Sequence, residues 1–329
     1  MKPGGIHAYQ AITICIGALG LAIVPVVAYL LPKSLETARF LESEGERHMA
    51  IMRLQDNQTG NQKTSKIRWS HIKDALRDPK TWGWSFMYFC CALPSGGLAA
   101  FGPIITRGFG YSPLNTILIQ IPMSVNSIIL LWTATWIMNK LKIRYPIIAF
   151  LTLLPIGGAI GLLKVPRERS GVLLCCYYFA NTQGILNPLI LSWGNLNAAG
   201  RTKMVITTSL GFAFACLGNI IGPQVYLSRE KPYYRTGLYV DIGCWCCISM
   251  MCFVMARYLA HLNKVQEMKR VSTGQRGNSQ DTSIMSLKEA AAYKANLRTT
   301  IIEENPQGEE ANKMDDLTDN ENVNFHYVL

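Results

Sequence analysis

Long stretches of this sequence contain no charged residue, and this feature restricts the possible folds more than any other. Six blocks are free of charge, and a seventh block contains one acid close to its start. The blocks are residues 11–31, 81–106, 112–139, 145–163, 170–200, 204–228 and 236–256. A helix needs roughly 20 mainly apolar residues to cross a bilayer, so each block is long enough to span. The sequence therefore predicts an all-α polytopic membrane protein with about seven transmembrane helices.

Basic residues are distributed unevenly between the loops. The formal net charge of +11 would by itself fit a nucleic-acid-binding protein. Loops and flanks on one side of the predicted membrane carry 19 Lys and Arg, and those on the other side carry 7. Because excess Lys and Arg mark the cytoplasmic side, we expect the amino terminus outside and the carboxyl terminus in the cytoplasm. This pattern makes the lipid bilayer the partner and argues against nucleic acid.

The blocks divide the chain into four regions. These are a lone transmembrane helix at 11–31, a cytoplasmic central loop at 32–80, a six-helix transmembrane half at 81–260 and a disordered, acidic cytoplasmic tail at 261–329. Near residues 70–78 the loop places Ile72, Ala75 and Leu76 on one helical face with charge around it. This pattern predicts a short helix on the inner membrane surface, with a solvated loop as the alternative.

The polar and sulfur chemistry of the chain does not indicate an enzyme. All ten cysteines lie inside the apolar blocks, whereas disulfide frameworks and zinc sites use aqueous loops with helper ligands. We therefore interpret the cysteines as small buried hydrophobic residues. The sequence contains no Ser-His-Asp set, phosphate-binding glycine loop or paired-carboxylate site. We predict no catalytic residue, no metal site and no cofactor.

The sixth block contains GNIIGPQ at 218–224, an unusual set of helix-weakening and amide residues for an oily segment. Small residues form one helical stripe that allows close approach of a neighbouring helix, namely Gly211, Ala215, Gly218 and Gly222. Pro223 cannot donate to the carbonyl of Asn219, which is left free at membrane depth. Two interpretations stay open: a bend that faces a cavity, or a hinge used for helix packing alone.

Amides and aromatic residues recur beside prolines in two other spans. In the fifth span Tyr177, Asn181 and Pro188 share a stripe, and Pro188 frees the carbonyl of Gly184. Polar groups in lipid usually face a bundle interior or a water-filled path, so we predict a shared polar cavity. Its candidate substrate-binding residues are Gln120, Asn126, Tyr177, Asn181, Asn187, Asn219 and Gln224.

Titratable residues are scarce in the predicted spans. None holds a Lys, Arg, His or Glu near its middle, and Asp241 lies only about a turn and a half into its block. The sequence therefore offers no evident proton relay within the membrane. The blocks also supply neutral polar groups rather than a cluster of cations, so they do not identify which anion would bind.

Several motifs resemble a known family of carriers. PLILSWGNLNAAGRTKM at 188–204 is followed by GNIIGPQVY and KPYYRTG. These motifs are similar to the region around helices ten and eleven of the major facilitator superfamily, in the fungal allantoate permease-like branch of the anion:cation symporter family. LPKSLETARFL at 31–41 resembles that branch's exit from helix six, and RWSHIKDALRDPKTW at 68–82 resembles its approach to helix seven.

The resemblance implies the major facilitator fold, here helix six followed by the C-terminal six-helix half. It also implies proton-coupled uptake, across the plasma membrane, of a small organic anion such as allantoate, another ureido acid or a carboxylate vitamin. The family has twelve helices, so we expect a truncated carrier without the first five. Asn139 lies where the family usually has an acid.

A carrier of this superfamily works by rocking two halves around a site at their interface. With one half missing, the chain is not expected to complete a transport cycle alone. We expect self-association, pairing with a full-length carrier, or instability.

Two other classes stay open from the sequence alone. Seven spans with an outside amino terminus also describe a seven-helix receptor. Against that class, Asn187-Pro188 lies in the fifth span rather than near the end of the seventh. The other class is a non-transporting remnant or partner subunit that keeps affinity for a related carrier.

Overall fold

A computed structural model describes residues 8–31, 43, 45–46, 67–108, 110, 113–166, 168–231, 233–272, 317–323 and 325–329. The chain divides into two compact units, Met1–Asn57 and Gln58–Leu329. The first unit contains helix α1, Ala8–Leu30, which has Pro25 inside it. This helix corresponds to the predicted lone span.

The second unit is built of helices and turns, with no strand among its described residues. Its α-helices are α2 Trp69–Arg77, α3 Pro79–Arg107, α4 Pro113–Leu118, α5 Gln120–Leu141, α6 Tyr145–Leu151, α7 Leu153–Lys164, α8 Ser170–Asn181, α9 Leu186–Leu196, α10 Arg201–Ile221 and α11 Arg235–Ser272. Short 3₁₀ segments cover Thr182–Ile185, Gly222–Val225 and Ser228–Glu230. The predicted all-α fold is confirmed.

Within the described residues, six helical segments are long and apolar enough to cross a membrane, which makes the chain a multi-pass membrane protein. They are Tyr9–Leu30, Pro79–Arg107, Gln120–Leu141, Tyr145–Lys164, Arg201–Val225 and Arg235–Ser272. The remaining predicted span, 170–200, is also helical, but a 3₁₀ segment divides it into α8 and α9. The division lies at Gly184, whose carbonyl cannot receive a hydrogen bond from Pro188.

Local sequence signals fix where the helices around the central loop begin. The Asp78 side chain accepts a hydrogen bond from the backbone N of Lys80 at 3.0 Å, and Pro79 starts α3. The helix predicted near residues 70–78 is α2. It turns His71 and Ala75 inward and leaves Leu76 exposed, so its buried face differs from the predicted one.

The small-residue stripe of α10 packs directly against α3. A Cβ on Gly211 would lie 2.5 Å from the ring of Tyr88, and one on Gly218 would lie 2.7 Å from the carbonyl oxygen of Phe89. A Cβ on Gly222 would collide with the backbone of α3. The two helices therefore approach as closely as they do because these positions carry no side chain.

The tail differs from its prediction. α11 continues to Ser272, beyond the predicted boundary at 260. Residues 317–323 and 325–329, here called the C-terminal segment, are packed against the helices, and Phe325, Tyr327 and Val328 are buried. The prediction of disorder from residue 261 onward is thus wrong for these parts, because the acidic composition masked a short aromatic and apolar end. The rest of the tail, 273–316, lies outside the described residues.

Candidate functional site

The predicted substrate-binding residues occupy different environments. Tyr177 is buried, Asn126 and Asn181 are half-buried, and the other four, Gln120, Asn187, Asn219 and Gln224, are exposed. Among the seven, the one hydrogen bond between two members joins Asn181 Nδ2 to the backbone O of Tyr177 at 3.0 Å. The structure therefore brings Tyr177 and Asn181 together on α8 and does not gather all seven into one cluster.

Two other amides bind carbonyls of their own helix. Asn219 Nδ2 donates to the carbonyl of Ala215 at 3.1 Å, and Gln224 Nε2 donates to that of Ile220 at 3.0 Å. The carbonyl of Asn219, which Pro223 leaves without a helical donor, lies against α3, where a Cβ on Gly96 would be 2.8 Å away. In the sixth span the geometry thus favours helix packing over a cavity-facing bend.

A buried carboxylate near one end of the bundle is the residue that sequence reasoning undervalued. Asp241 in α11 is completely buried, and its Oδ2 accepts a hydrogen bond from the hydroxyl of Tyr226 at 2.6 Å. Its other oxygen, Oδ1, is buried and has no hydrogen-bond partner among the residues that the structure describes. Ionisable side chains buried in membrane helices are functional candidates by default. The signal was visible in the sequence as the single acid in an otherwise charge-free block.

Tyr226 is held by close packing around its ring. A Cβ on Gly97 of α3 or on Gly237 of α11 would lie 2.5 or 2.7 Å from its ring. The ring of Phe101 stacks on it at 5.1 Å between centroids, and Tyr234 lies 5.9 Å away. We call the group of Phe101, Tyr226, Tyr234 and Asp241 the Asp241 cluster. Gly97 and Gly237, which pack against the ring of Tyr226, fix its hydroxyl at the carboxylate of Asp241.

A cleft of about 250 Å³ opens between α5 and α9. Its lining residues are Leu131, Thr135, Met138, Asn139, Arg144, Pro188, Leu189 and Ser192. Arg144 Nη1 donates to the hydroxyl of Ser192 at 3.2 Å. The cleft thus combines a guanidinium, a hydroxyl and an amide, from Asn139, with an apolar wall. Arg144 was not among the predicted site residues because it lies in a turn between two spans.

Comparison with known proteins places the chain among membrane carriers. The model of the Major Facilitator Superfamily matches residues 4–223. The chain is 28% identical over 262 residues to an uncharacterised transporter of Schizosaccharomyces pombe. The aligned residues cover 79% of this chain and 49% of that protein. It is 27% identical over 246 residues to the high-affinity nicotinic acid transporter of Saccharomyces cerevisiae, covering 73% and 44% of the two chains.

The thiamine pathway transporter of Saccharomyces cerevisiae is 22% identical over 324 residues, covering 97% of this chain and 54% of that protein. The chain therefore spans about half the length of the curated relatives it matches. No solved structure matches it.

Proposed function

Because the chain belongs to the major facilitator superfamily, we propose that it forms the substrate-carrying C-terminal half of a membrane transporter for a small organic anion. The substrate class is a carboxylate vitamin or a ureido acid such as allantoate. The observation that carries this proposal is the cleft between α5 and α9, in which Arg144 supplies the cation that an anion requires. The similarity to a nicotinic acid transporter supports it, since nicotinic acid is a small aromatic carboxylate.

The chemistry of the cleft suits a carboxylate of this size. The Arg144 guanidinium is a planar fork of donors that can bind a carboxylate through two hydrogen bonds. Ser192 and Asn139 add neutral polar groups, and Leu131, Leu189 and Pro188 form the apolar wall. A few placed polar groups in a mainly apolar wall are typical of small-molecule sites. Tyr177 and Asn181 stay candidates for further substrate contacts.

Proton coupling is assigned to Asp241. It is a buried acid on a membrane helix, and its hydrogen-bond partner is the neutral hydroxyl of Tyr226. A carboxyl group in that setting can gain and lose a proton without breaking an ion pair. Coupling of uptake to a proton gradient requires such an exchange of protons. This assignment replaces the expectation that the spans contain no evident relay.

The cellular location and the assembly of the chain are part of the same proposal. The excess of basic residues in one set of loops supports a carrier with its carboxyl terminus in the cytoplasm, and we place it in the plasma membrane because the family resemblance implies that location. Alternating access needs a second set of helices that faces this half, supplied by a second copy or by a full-length carrier.

The proposal is tested with a fusion carrier. The amino-terminal half of the yeast nicotinic acid transporter is joined to residues 8–329 and expressed in a host without related permeases. We expect saturable, uncoupler-sensitive uptake of labelled nicotinate or allantoate by the fusion carrier and none by the chain alone.

Arg144→Gln in the fusion carrier should raise KM by about tenfold or more, because a charged hydrogen bond is lost. Lys142→Gln, two residues away and outside the cleft, is the matched control. Unchanged KM in Arg144→Gln, at equal surface abundance, would remove the anion site from this cleft.

A further inference from the structure

The C-terminal segment lies in a groove at the end of the bundle opposite the Asp241 cluster. We call this the tail groove, and its walls are Lys80, Trp193, Asn197, Lys203, Asn263, Gln266 and Arg270. Tyr327, Val328 and Asp319 of the segment are all buried in it. The groove lies within the second compact unit and draws residues from α3, α9, α10 and α11.

Side chains of the groove bind the peptide backbone of the segment. Asn197 donates from Nδ2 to the carbonyl of Val328 at 3.1 Å and accepts from its amide at 2.8 Å. Asn263 holds Tyr327 in the same way, with both distances 2.8 Å. Trp193 Nε1 adds a second bond to the Val328 carbonyl at 2.9 Å. Two consecutive residues are thus held by paired bonds to amides, as a binding site holds an extended peptide.

Gln266 and Arg270 extend this recognition along the segment. Gln266 Nε2 donates to the carbonyl of Asp319 at 2.9 Å, and Arg270 Nη1 donates to that of Val323 at 3.1 Å. At the far end the backbone N of Arg144 donates to the carbonyl of Leu329 at 2.9 Å. The contacts therefore reach the residue that lines the cleft between α5 and α9.

A buried group of charges fixes one side chain of the segment. Asp319 pairs with Lys80 and, at 2.9 Å, with Lys203. Lys203 also lies 2.8 Å from both Asp74 and Asp78, and Lys80 lies 3.4 Å from Asp78. Without Asp319 the group contains two cations and two carboxylates and is already balanced. Removal of the segment therefore leaves no uncompensated buried charge, whereas removal of either lysine would leave the carboxylates in excess.

We propose that the C-terminal segment is a detachable ligand of the tail groove, and that it holds the ends of α3, α9, α10 and α11 together until it leaves. The groove recognises a peptide that carries an acid in a turn and, eight residues later, a tyrosine. The segment of the same chain is its occupant. While bound, it opposes any separation of these helix ends, so it acts as an autoinhibitory contact on that end of the protein. This inference does not depend on the transported substrate.

Carboxypeptidase digestion tests the proposal on the full chain in detergent micelles, with any affinity tag at the amino terminus. Trimming past Val328 requires release, because its amide and carbonyl are both bonded to Asn197. Asp319→Asn should be trimmed about ten- to a hundredfold faster than the wild type, since one charged contact is lost and proteolysis follows the released population. Glu321→Gln is the matched control, because it removes the same charge two residues away on a half-exposed side chain. The glutamine keeps a side-chain oxygen that can accept the hydrogen bond from the backbone N of Thr318.

A second pair of variants leaves the charged group intact. Asn197→Ala should also be trimmed faster, whereas Asn195→Ala, on the same helix and outside the groove, should match the wild type. Equal rates for Asp319→Asn, Asn197→Ala and the wild type would overturn the proposal. So would complete resistance of the wild type until the protein itself unfolds, because the segment would then be a fixed part of the fold. Protection that increases with protein concentration would show binding to a second copy and would refute the assigned occupant.

Discussion

Two buried aspartates near opposite ends of the same bundle have contrasting partners. Asp241 is bonded to the neutral hydroxyl of Tyr226, and within the described part of the chain its other oxygen has no hydrogen-bond partner. Asp319 lies between two ammonium groups, those of Lys80 and Lys203. Both are completely buried. The comparison teaches that the partners, rather than burial, distinguish the two acids: Asp319 holds a peptide through two cations, whereas Asp241, bonded to a neutral hydroxyl, is the acid to which we assign proton exchange.

The largest expected effect separates the two acids by function. Asp241→Asn in the fusion carrier should abolish the uncoupler-sensitive part of uptake, because an amide cannot release a proton at this site. Asp319→Asn should retain it, since that residue belongs to the tail groove. Uptake of labelled nicotinate with and without an uncoupler measures the difference. If Asp241→Asn still accumulates substrate against a gradient, the contrast between the two acids fails.

The second prediction concerns the charges around Asp319. Lys203→Met removes the ammonium group that lies within 2.9 Å of Asp74, Asp78 and Asp319, of which Asp78 and Asp319 are buried, so we expect the free energy of unfolding to fall by about 3–5 kcal/mol. Thermal unfolding in detergent micelles measures the loss. Lys140→Met is the control, because Lys140 is exposed and its contact is the ring of Trp136, so it should cost less than about 1 kcal/mol. Similar losses for both variants would show that the buried group contributes no more than a surface cation.

The third prediction tests how Tyr226 is held at Asp241. Gly237→Ala places a methyl group 2.7 Å from the Tyr226 ring, which should displace the hydroxyl and cost about 1–3 kcal/mol. Gly243→Ala, on the same helix, meets nothing within 4 Å and should be neutral or slightly stabilising. Unfolding curves of the two variants make the comparison. A harmless Gly237→Ala would mean that the cluster tolerates movement of the tyrosine.

The smallest effect is expected for pH. Burial opposes the charge of Asp319, but Lys80 and Lys203 outweigh it and keep its pKa below the ordinary range. Burial and the neighbouring Asp319 raise the pKa of Tyr327. The bound acid thus takes up a proton less readily than the free one, and the bound phenol loses its proton less readily. Binding should weaken only below about pH 4 and above about pH 10.

Between about pH 5 and pH 8 we therefore expect no change in segment binding. The mobility of a spin label on a cysteine added after Leu329, in a cysteine-free background, follows release across the whole range. A marked rise in mobility within that interval would show that other groups govern the segment.

The sequence predicted the fold well where one physical requirement dominates. Each charge-free block formed helix, because backbone groups in lipid must be satisfied within the segment. The stripe through Gly211, Gly218 and Gly222 is in close contact with α3, as its spacing indicated. The interruption of the fifth span at Gly184 follows from Pro188.

The candidate site was harder to predict, because its parts are far apart in the chain. Tyr226 and Asp241 are 15 residues apart, and Gly97, one of the two glycines against the tyrosine ring, belongs to another helix. Arg144 became a candidate only when folding placed it beside Ser192, 48 residues away. Side-chain amides, in turn, looked like cavity residues, whereas Asn219 and Gln224 bind carbonyls one turn back.

The balanced charge of the tail groove also bears on synthesis and membrane insertion. Asp319 follows Lys80 by 239 residues, so Lys80 and Lys203 both reach the membrane long before their third carboxylate has been translated. Asp74 and Asp78 are made just ahead of Lys80 and can neutralise each lysine as it arrives. The newly made helices can therefore assemble before Asp319 has been translated, and the C-terminal segment can pack against them afterwards.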